Sequence, residues 1–428
     1  MIQPTETPPV ERRRRGPLRR VLGALGPGVI AGAADDDPSG IATYSIAGAQ
    51  LGTRMLWCSL LTWPLMGAVQ MMCARIGMVT GRGLASGLRA KLPRGVLVFL
   101  VTGLLVANTV NVGADLSGMA DAGEMLTGVD SHSLVVLFAV GIGWATIRLR
   151  YSTIARTLKW LAAALFAYVV TMVHVKPDWG AVIGDTFIPS WPSSRTEWAT
   201  LVAILGTTIS PYLFFWQSSQ EVEEERARGR ISLESRIGAT RGELRRRRLD
   251  VAIGTFFSNF VMFAIIVTTA ATLHQAGKTD ITTSAQAAEA LRPLAGPMAE
   301  ALYTLGLVGV GLLAIPTLTG SAAYALSELF GWEEGLDRRW NEAPAFYAVV
   351  VVATLGGIAL DFLNVPPVTT LFVAAVINGL LAPFMLLGIL LVASDRTIMH
   401  GQPSSRLSRV TGFVTMVLMF GAAVGLVL

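Results

Sequence analysis

Apolar runs long enough to cross a membrane recur along this chain from Val21 to Leu428. A hydrocarbon core of about 30 Å is spanned by roughly 20 helical residues. Inside it a chain must satisfy its own amides and carbonyls, which long apolar runs do as helices. The expected fold class is an all-α polytopic membrane protein. Composition agrees: 52% of the 428 residues are hydrophobic and 15% are charged, which rules out a disordered chain and argues against a water-soluble globule.

Turn and charge signals divide the runs into eleven candidate transmembrane helices, at 20–48, 54–78, 97–127, 132–149, 157–176, 196–219, 249–274, 298–328, 343–363, 367–394 and 408–428. The segment before them, residues 1–19, is basic and carries no small-residue cleavage site after a short apolar core, so it reads as a cytoplasmic tail. An inside amino terminus puts 29 of the 34 Lys and Arg residues on the inner side, leaving Arg54, Lys176, Arg195, Lys278 and Arg292 outside. Inner loops carry the excess of basic residues. The expected setting is a bacterial-type plasma (inner) membrane, with the amino terminus cytoplasmic and the carboxyl terminus outside. Topology thus accounts for the formal charge of +5, and no nucleic-acid partner is expected.

The longest polar stretch, residues 221–249, carries acids first and bases last and is expected as a solvated, partly helical cytoplasmic loop over 220–248. Residues 177–195 and 275–297 are expected as outer loops. Cys58 and Cys73 share one apolar run, where a helix separates them by about 22 Å, too far for a disulfide.

Ionisable residues at membrane depth are costly and mark functional candidates. The first run, AGAADDDPSGIATYS, places Asp35, Asp36 and Asp37 near its middle, followed by Pro38, Ser39 and Gly40. Proline removes an amide donor and disfavours helix at the preceding residue, and glycine weakens the next turn. An unwound segment is expected. The sixth run, LGTTISPYLFFWQ, repeats the pattern with Gly206, Thr207, Thr208, Ser210 and Pro211 at its centre. Its hydroxyls can satisfy backbone groups that the break sets free.

A lone proline in a membrane helix is ordinarily only a kink. Two breaks at the first and sixth of eleven spans occupy matching places in two runs of five, and an odd repeat length turns the second run upside down. This is the signature of an inverted-repeat secondary transporter with its site between two discontinuous helices. The expected units are a first repeat over 20–176, a second, inverted one over 196–394, and an eleventh helix over 408–428.

The sequence resembles the Nramp (natural resistance-associated macrophage protein) family of divalent-metal transporters in four stretches. They are GPGVIAGAADDDPSG, NVGADLSGM, LGTTISPYLFFWQS and LDVAIGTFFSNFVMFAIIVTTAATLH. The resemblance implies a LeuT-type fold of five plus five inverted helices, with the first and sixth discontinuous. The family motif Asp-Pro-Gly-Asn aligns with Asp37, Pro38, Ser39 and Gly40, and Ala-x-x-Met-Pro-His aligns with Thr207 through Tyr212. It implies a metal held by the aspartate, the asparagine, the backbone carbonyl at the alanine position and the methionine sulfur. Here Asp37 and the Thr207 carbonyl keep their places, while Gly40 and Ser210 replace the other two ligands.

Loss of a thioether removes the soft ligand that favours transition metals, whereas carboxylate and hydroxyl suit hard cations. Loss of the asparagine side chain is expected to leave room for water, which suits magnesium, an ion that dehydrates reluctantly. The pattern resembles the Nramp-related magnesium transporters, and manganese is also compatible. The expected substrate site is Asp37, Gly40, Thr207 and Ser210, with Asp36 and with Asn378 standing in for a family glutamine; Asp37, Thr207 and Ser210 are the expected metal ligands. Pro38, Ser39 and Pro211 make the breaks, and Tyr212, Gln217, Asp115 and Asn259 are expected along the pathway.

Weak or absent proton coupling is expected. Gly118, Tyr212 and Gln217 stand where the family carries titratable groups, and all four histidines lie at span ends or in loops. Asp121 and Glu124 are possible substitutes; Glu328 and Asp361 are expected to be solvated. An alternative reading keeps the fold and changes the cargo: Pro38-Ser39-Gly40-Ile41 resembles the Gly-Ser-Gly-Ile stretch by which related transporters cradle an amino-acid carboxylate, with Asp37 meeting the ammonium. No catalytic motif or intramembrane His or Cys pair is present, so no enzyme is expected. The transported cation and the lipid bilayer are the expected partners, no cofactor is expected, and the oligomeric state is open, a monomer being compatible.

Overall fold

The computed structural model describes residues 27–148, 163–363 and 365–428, and every regular element among them is helical. The basic tail over 1–19, residues 20–26 of the first expected span and residues 157–162 of the fifth lie outside the described residues. In chain order the helices begin with α1 (Pro27–Asp35), α2 (Pro38–Leu51), α3 (Trp57–Thr80), the short α4 (Leu84–Arg89), α5 (Arg94–Thr127) and α6 (Ser131–Arg148). Then come α7 (Phe166–His174), α8 (Trp179–Phe187), α9 (Arg195–Thr208), α10 (Pro211–Ala227) and the one-turn α11 (Leu233–Arg236). The last group is α12 (Arg241–Thr269), the short α13 (Ser284–Ala288) and α14 (Arg292–Ala295), then α15 (Ala299–Phe330), α16 (Pro344–Asp361), α17 (Pro367–Ser394) and α18 (Arg406–Val427). Eight of the described helical stretches are long and apolar enough to cross a membrane.

A helix apolar or small all round has to be buried on every side. α2 is such a helix, buried from Pro38 through Ala49, and it packs against α5, α9, α12 and α17. The α9–α10 pair is buried in the same way and completes the centre of the bundle. Small residues let these backbones approach closely, as expected where lipid removes the hydrophobic drive between helices. Gly206 of α9 leaves no room for a Cβ against the Ala375 carbonyl of α17, and Gly32 of α1 leaves none against the Gly254 carbonyl of α12. Large apolar side chains such as Phe99, Leu137, Trp144, Leu355 and Phe413 lie exposed on the outer helices. An apolar surface of that extent belongs against acyl chains.

The polar stretch 221–249 is partly helical and mostly exposed or half-buried, with a few charged residues buried. α10 runs on to Ala227, and α12 already begins at Arg241 with a capping box between Thr240 and Glu243. Glu221, Glu225, Arg236, Arg247 and Asp250 are buried rather than solvated. Acids on one helix answer bases on the next, so the charges cancel inside the fold. The segment expected as an outer loop over 275–297 contains α13 and α14. Both cysteines are buried and unpaired, as the helical spacing predicts.

Candidate functional site

Each break has a local cause. α1 ends at Asp35, and Asp37 takes an extended backbone (φ −67°, ψ 171°) as N-cap of α2, with Pro38 in the first turn. A proline there loses nothing, because that amide has no helical partner. α9 ends at Thr208; Ile209 (φ −115°, ψ 56°) turns the chain out of it, and Ser210 (φ −74°, ψ 133°) leads into α10 behind Pro211. The unwound segments expected from sequence are two residues long in each case.

The three consecutive acids have different partners. Asp35 and Asp36 face α12, where the Ser258 hydroxyl lies 2.5 Å from Asp35 Oδ2 and 3.2 Å from Asp36 Oδ1. Asp37 faces the break. Its Oδ1 accepts from the Ser39 hydroxyl (2.6 Å) and the Gly40 amide (2.8 Å). Its Oδ2 accepts from Asn111 Nδ2 on α5 (3.1 Å), with the Tyr212 hydroxyl of α10 3.3 Å away. Asn378 on α17 donates in turn to Asn111 Oδ1 (3.4 Å). Four helices therefore converge on one carboxylate, directly or through one amide.

The two breaks also hold each other. Tyr212 donates its hydroxyl to the Ala34 carbonyl at the end of α1 (2.8 Å). The Ser39 and Thr207 hydroxyls lie 3.5 Å apart, and those of Tyr44 and Thr208 lie 3.2 Å apart. The Ser210 hydroxyl turns back on α9, 2.8 Å from the Gly206 carbonyl and 2.5 Å from that of Thr207. Asp37, Ser39, Asn111, Thr207, Ser210, Tyr212 and Asn378 are all buried.

The surroundings of Gly40 are close. A Cβ on Gly40 would stand 3.2 Å from Thr207 Oγ1 and 3.4 Å from a Tyr44 ring carbon. The Thr207 side chain and the Tyr44 ring thus stand close to where a side chain at this position would begin.

Other residues singled out in the sequence have different places. Asp115 lies one turn beyond Asn111 on the same face of α5; it is buried, and neither carboxylate oxygen has a hydrogen-bond partner of regular geometry. Gln217 donates to Glu221 (2.7 Å), beyond the break along α10. Asn259 accepts from Thr62 (2.6 Å) and donates to the Thr255 carbonyl (2.8 Å), tying α12 to α3 rather than lining the break. Asp121 and Glu124 accept the Ser284 and Ser131 amides (2.7 and 3.2 Å), so both are committed to chain turns. Glu328 is buried, not solvated, and accepts the Ser86 amide (2.8 Å). Asp361 accepts from Ser117 (2.6 Å) and lies 2.6 Å from His132 Nδ1.

Asn111 and Tyr44 were not singled out in the sequence. The signal for Asn111 was its position four residues before Asp115, one turn away on the same helical face; Tyr44 offers no sequence signal beyond an aromatic in an apolar run.

On the side expected to face the cytoplasm, a buried ion cluster joins α10 and α12 to the start of α1. Arg247 pairs with Glu221 (2.6 Å), with Asp250 (2.5 Å) and with Glu224, and Asp250 accepts the Gly28 amide (2.8 Å). Beside it opens a cavity of about 710 Å³ lined by Arg82, Arg89, Arg226, Arg236, Glu328 and Glu334. Burial holds the Glu334 carboxyl well above the usual carboxylate range, and Glu328 acts in the same direction.

Chemically, the break offers the Asp37 carboxylate, hydroxyls, an amide oxygen and the carbonyl ends of α1 and α9, where helix dipoles concentrate partial negative charge. Oxygen donors of this kind suit cations, hard ones first. Among the described residues no group of three or more His, Cys, Asp or Glu side chains is placed to hold a metal, so Asp37 would work with neutral oxygens.

Two discontinuous helices meeting at a buried carboxylate in an all-helical, membrane-spanning bundle are the arrangement of the LeuT-type fold class. The chain belongs to the natural resistance-associated macrophage protein-like (Nramp) family, whose profile matches residues 28–428. It is 29% identical over 415 residues to the divalent metal cation transporter MntH of Deinococcus radiodurans, covering 94% of this chain and 88% of that one. The MntH of Aeromonas hydrophila is 26% identical, with 94% of each chain covered. Among solved structures, the Eremococcus coleocola manganese transporter superposes with a TM-score of 0.73 over 97% of this chain and 87% of that one, at 18% identity. The nucleobase-cation-symport-1 family transporter Mhp1 superposes with a TM-score of 0.57 over 94% of this chain and 92% of that one, at 13% identity. These relatives are transporters, not enzymes.

Proposed function

We propose that this protein moves a divalent metal cation across the membrane by alternating access, with Asp37 as the charged ligand and the Thr207 carbonyl and Ser210 hydroxyl as neutral ligands. The observation that carries this reading is the setting of Asp37, a single carboxylate presented at the junction of both breaks and oriented by Ser39, Gly40, Asn111 and Tyr212. The named functions of the MntH and manganese-transporter relatives support it. Asn378 acts through Asn111, and Asp36 is secondary because it faces Ser258.

Oxygen-only ligation favours hard cations, magnesium and manganese, over soft ones. Proton coupling is weak in this reading, since Tyr212 and Gln217 are committed to hydrogen bonds within the fold. The orientation has the amino terminus inside, with repeats over 20–176 and 196–394 rocking against each other. An amino-acid cargo is less well supported: the Gly40 amide and Ser39 hydroxyl, donors that a substrate carboxylate would need, already serve Asp37.

Purified protein in liposomes, offered magnesium, manganese, calcium and a panel of amino acids with and without a pH gradient, tests the proposal. Metal uptake that amino acids do not inhibit is expected. Amino-acid uptake without metal flux would overturn it.

A further inference from the structure

A second charged site lies at the membrane boundary, away from the breaks. Arg241, Arg245 and Arg248 follow one another at helical spacing along one face of α12, and with Arg75 of α3 they line a cavity of about 310 Å³ closed by the start of α18. None of the lining residues is acidic, and among the described residues none of these four arginines forms an ion pair. This contrasts with Arg247, one residue before Arg248, which is enclosed by three carboxylates.

The cavity is built rather than incidental. Arg75 Nε donates to the Gln402 carbonyl (3.0 Å), which fixes its guanidinium at the wall. Ser404 is 97% buried, lines the cavity, and its hydroxyl has no hydrogen-bond partner. Ser405 caps α18, so the positive end of that helix is directed at the same space. Arginines, an unpartnered buried hydroxyl and a helix amino terminus are together the donor set of a phosphate site.

We infer that this cavity binds the phosphate of an anionic phospholipid headgroup. The shared chemistry would also admit free phosphate, but the surroundings favour a lipid. Met71 and Leu244 form part of the lining. Leu407 on α18 and Leu249 on α12, each next in the chain to a lining residue, are exposed. Apolar side chains beside and within the cavity suit acyl chains; a free anion has no use for them. Basic pockets between membrane helices at the cytoplasmic boundary are the sites where such headgroups gather.

The test uses the full-length chain in detergent, with lipid retention read by native mass spectrometry. Dioleoyl phosphatidylglycerol, dioleoyl phosphatidylcholine and inorganic phosphate are the probes. Phosphatidylglycerol should be retained at least about tenfold more strongly than phosphatidylcholine. The triple variant Arg241→Gln, Arg245→Gln, Arg248→Gln should lose that preference, while Arg396→Gln, outside the cavity, should keep it. Equal retention of the two lipids by the wild type, which needs no variant to fold, would overturn the inference, as would a triple variant that still prefers phosphatidylglycerol. Displacement of phosphatidylglycerol by millimolar inorganic phosphate would assign the cavity to the free anion instead.

Discussion

Asn111 holds Asp37 from across the bundle, its Nδ2 3.1 Å from Asp37 Oδ2. A carboxylate that must receive a cation on one side is kept in place by neutral donors on the other. Hydrogen bonds to a charged group contribute about 1.5–3 kcal/mol each. Asn111→Ala should therefore weaken metal binding by roughly ten- to a hundredfold, measured by equilibrium binding to the purified protein, with folding retained. Wild-type affinity in this variant would remove Asn111 from the site.

Asp37 itself should be indispensable. In Asp37→Ala liposomes metal uptake should fall to background while the detergent melting temperature stays near that of the wild type. Asp36→Ala should retain most uptake, because Asp36 faces Ser258 and not the break. Reversed outcomes for the two variants would shift the ligand to Asp36.

Selectivity should follow Ser210. Ser210→Met places a soft sulfur beside the Thr207 carbonyl, so cadmium and manganese affinity should rise and magnesium transport should fall. A gain of 1.4 kcal/mol is about tenfold in affinity. Adding Gly40→Asn requires the Thr207 side chain to move, since a Cβ there stands 3.2 Å from its hydroxyl. Gly40→Asn should therefore be tolerated better with Thr207→Ala than alone. Competition between radioactive manganese and unlabelled magnesium reads both effects.

An intraliposomal pH dye should stay flat during metal uptake. Acidification in proportion to flux would point to Asp115, the buried acid beside Asn111 whose oxygens lack partners, and Asp115→Asn should then abolish it.

The two breaks were legible because proline, glycine and acids in an apolar run leave few backbone alternatives. Their outcome was sharper than expected, since Asp37 caps α2 with its own side chain and ends the break after two residues. What could not be read is what reaches in from distant helices. Nothing in the local sequence says that Asn111 meets Asp37, 74 positions away, or that Asn259 faces Thr62 instead. Nor does the acid-then-base stretch at 221–249 tell which few of its charges are buried: Glu221 and Arg247 meet only when their helices are placed side by side.

That neutralisation sets a stability expectation. Removing one partner of a buried ion cluster leaves uncompensated charge and costs about 3–5 kcal/mol. Arg247→Ala, which strands Glu221, Glu224 and Asp250, should lower stability by about that amount in detergent unfolding. Glu221→Gln added to it should recover part of the loss. An unchanged unfolding curve would mean that water already screens the cluster.

Pro38 and Pro211 each stand at the start of a half-helix, where the missing amide harms nothing. The same missing amide removes one of the hydrogen bonds that would close the gap, so each proline disfavours rewinding of the break. Each half-helix therefore starts at a fixed residue. In the proposed transport cycle the two imino acids would mark the depth of the site from both halves of the bundle.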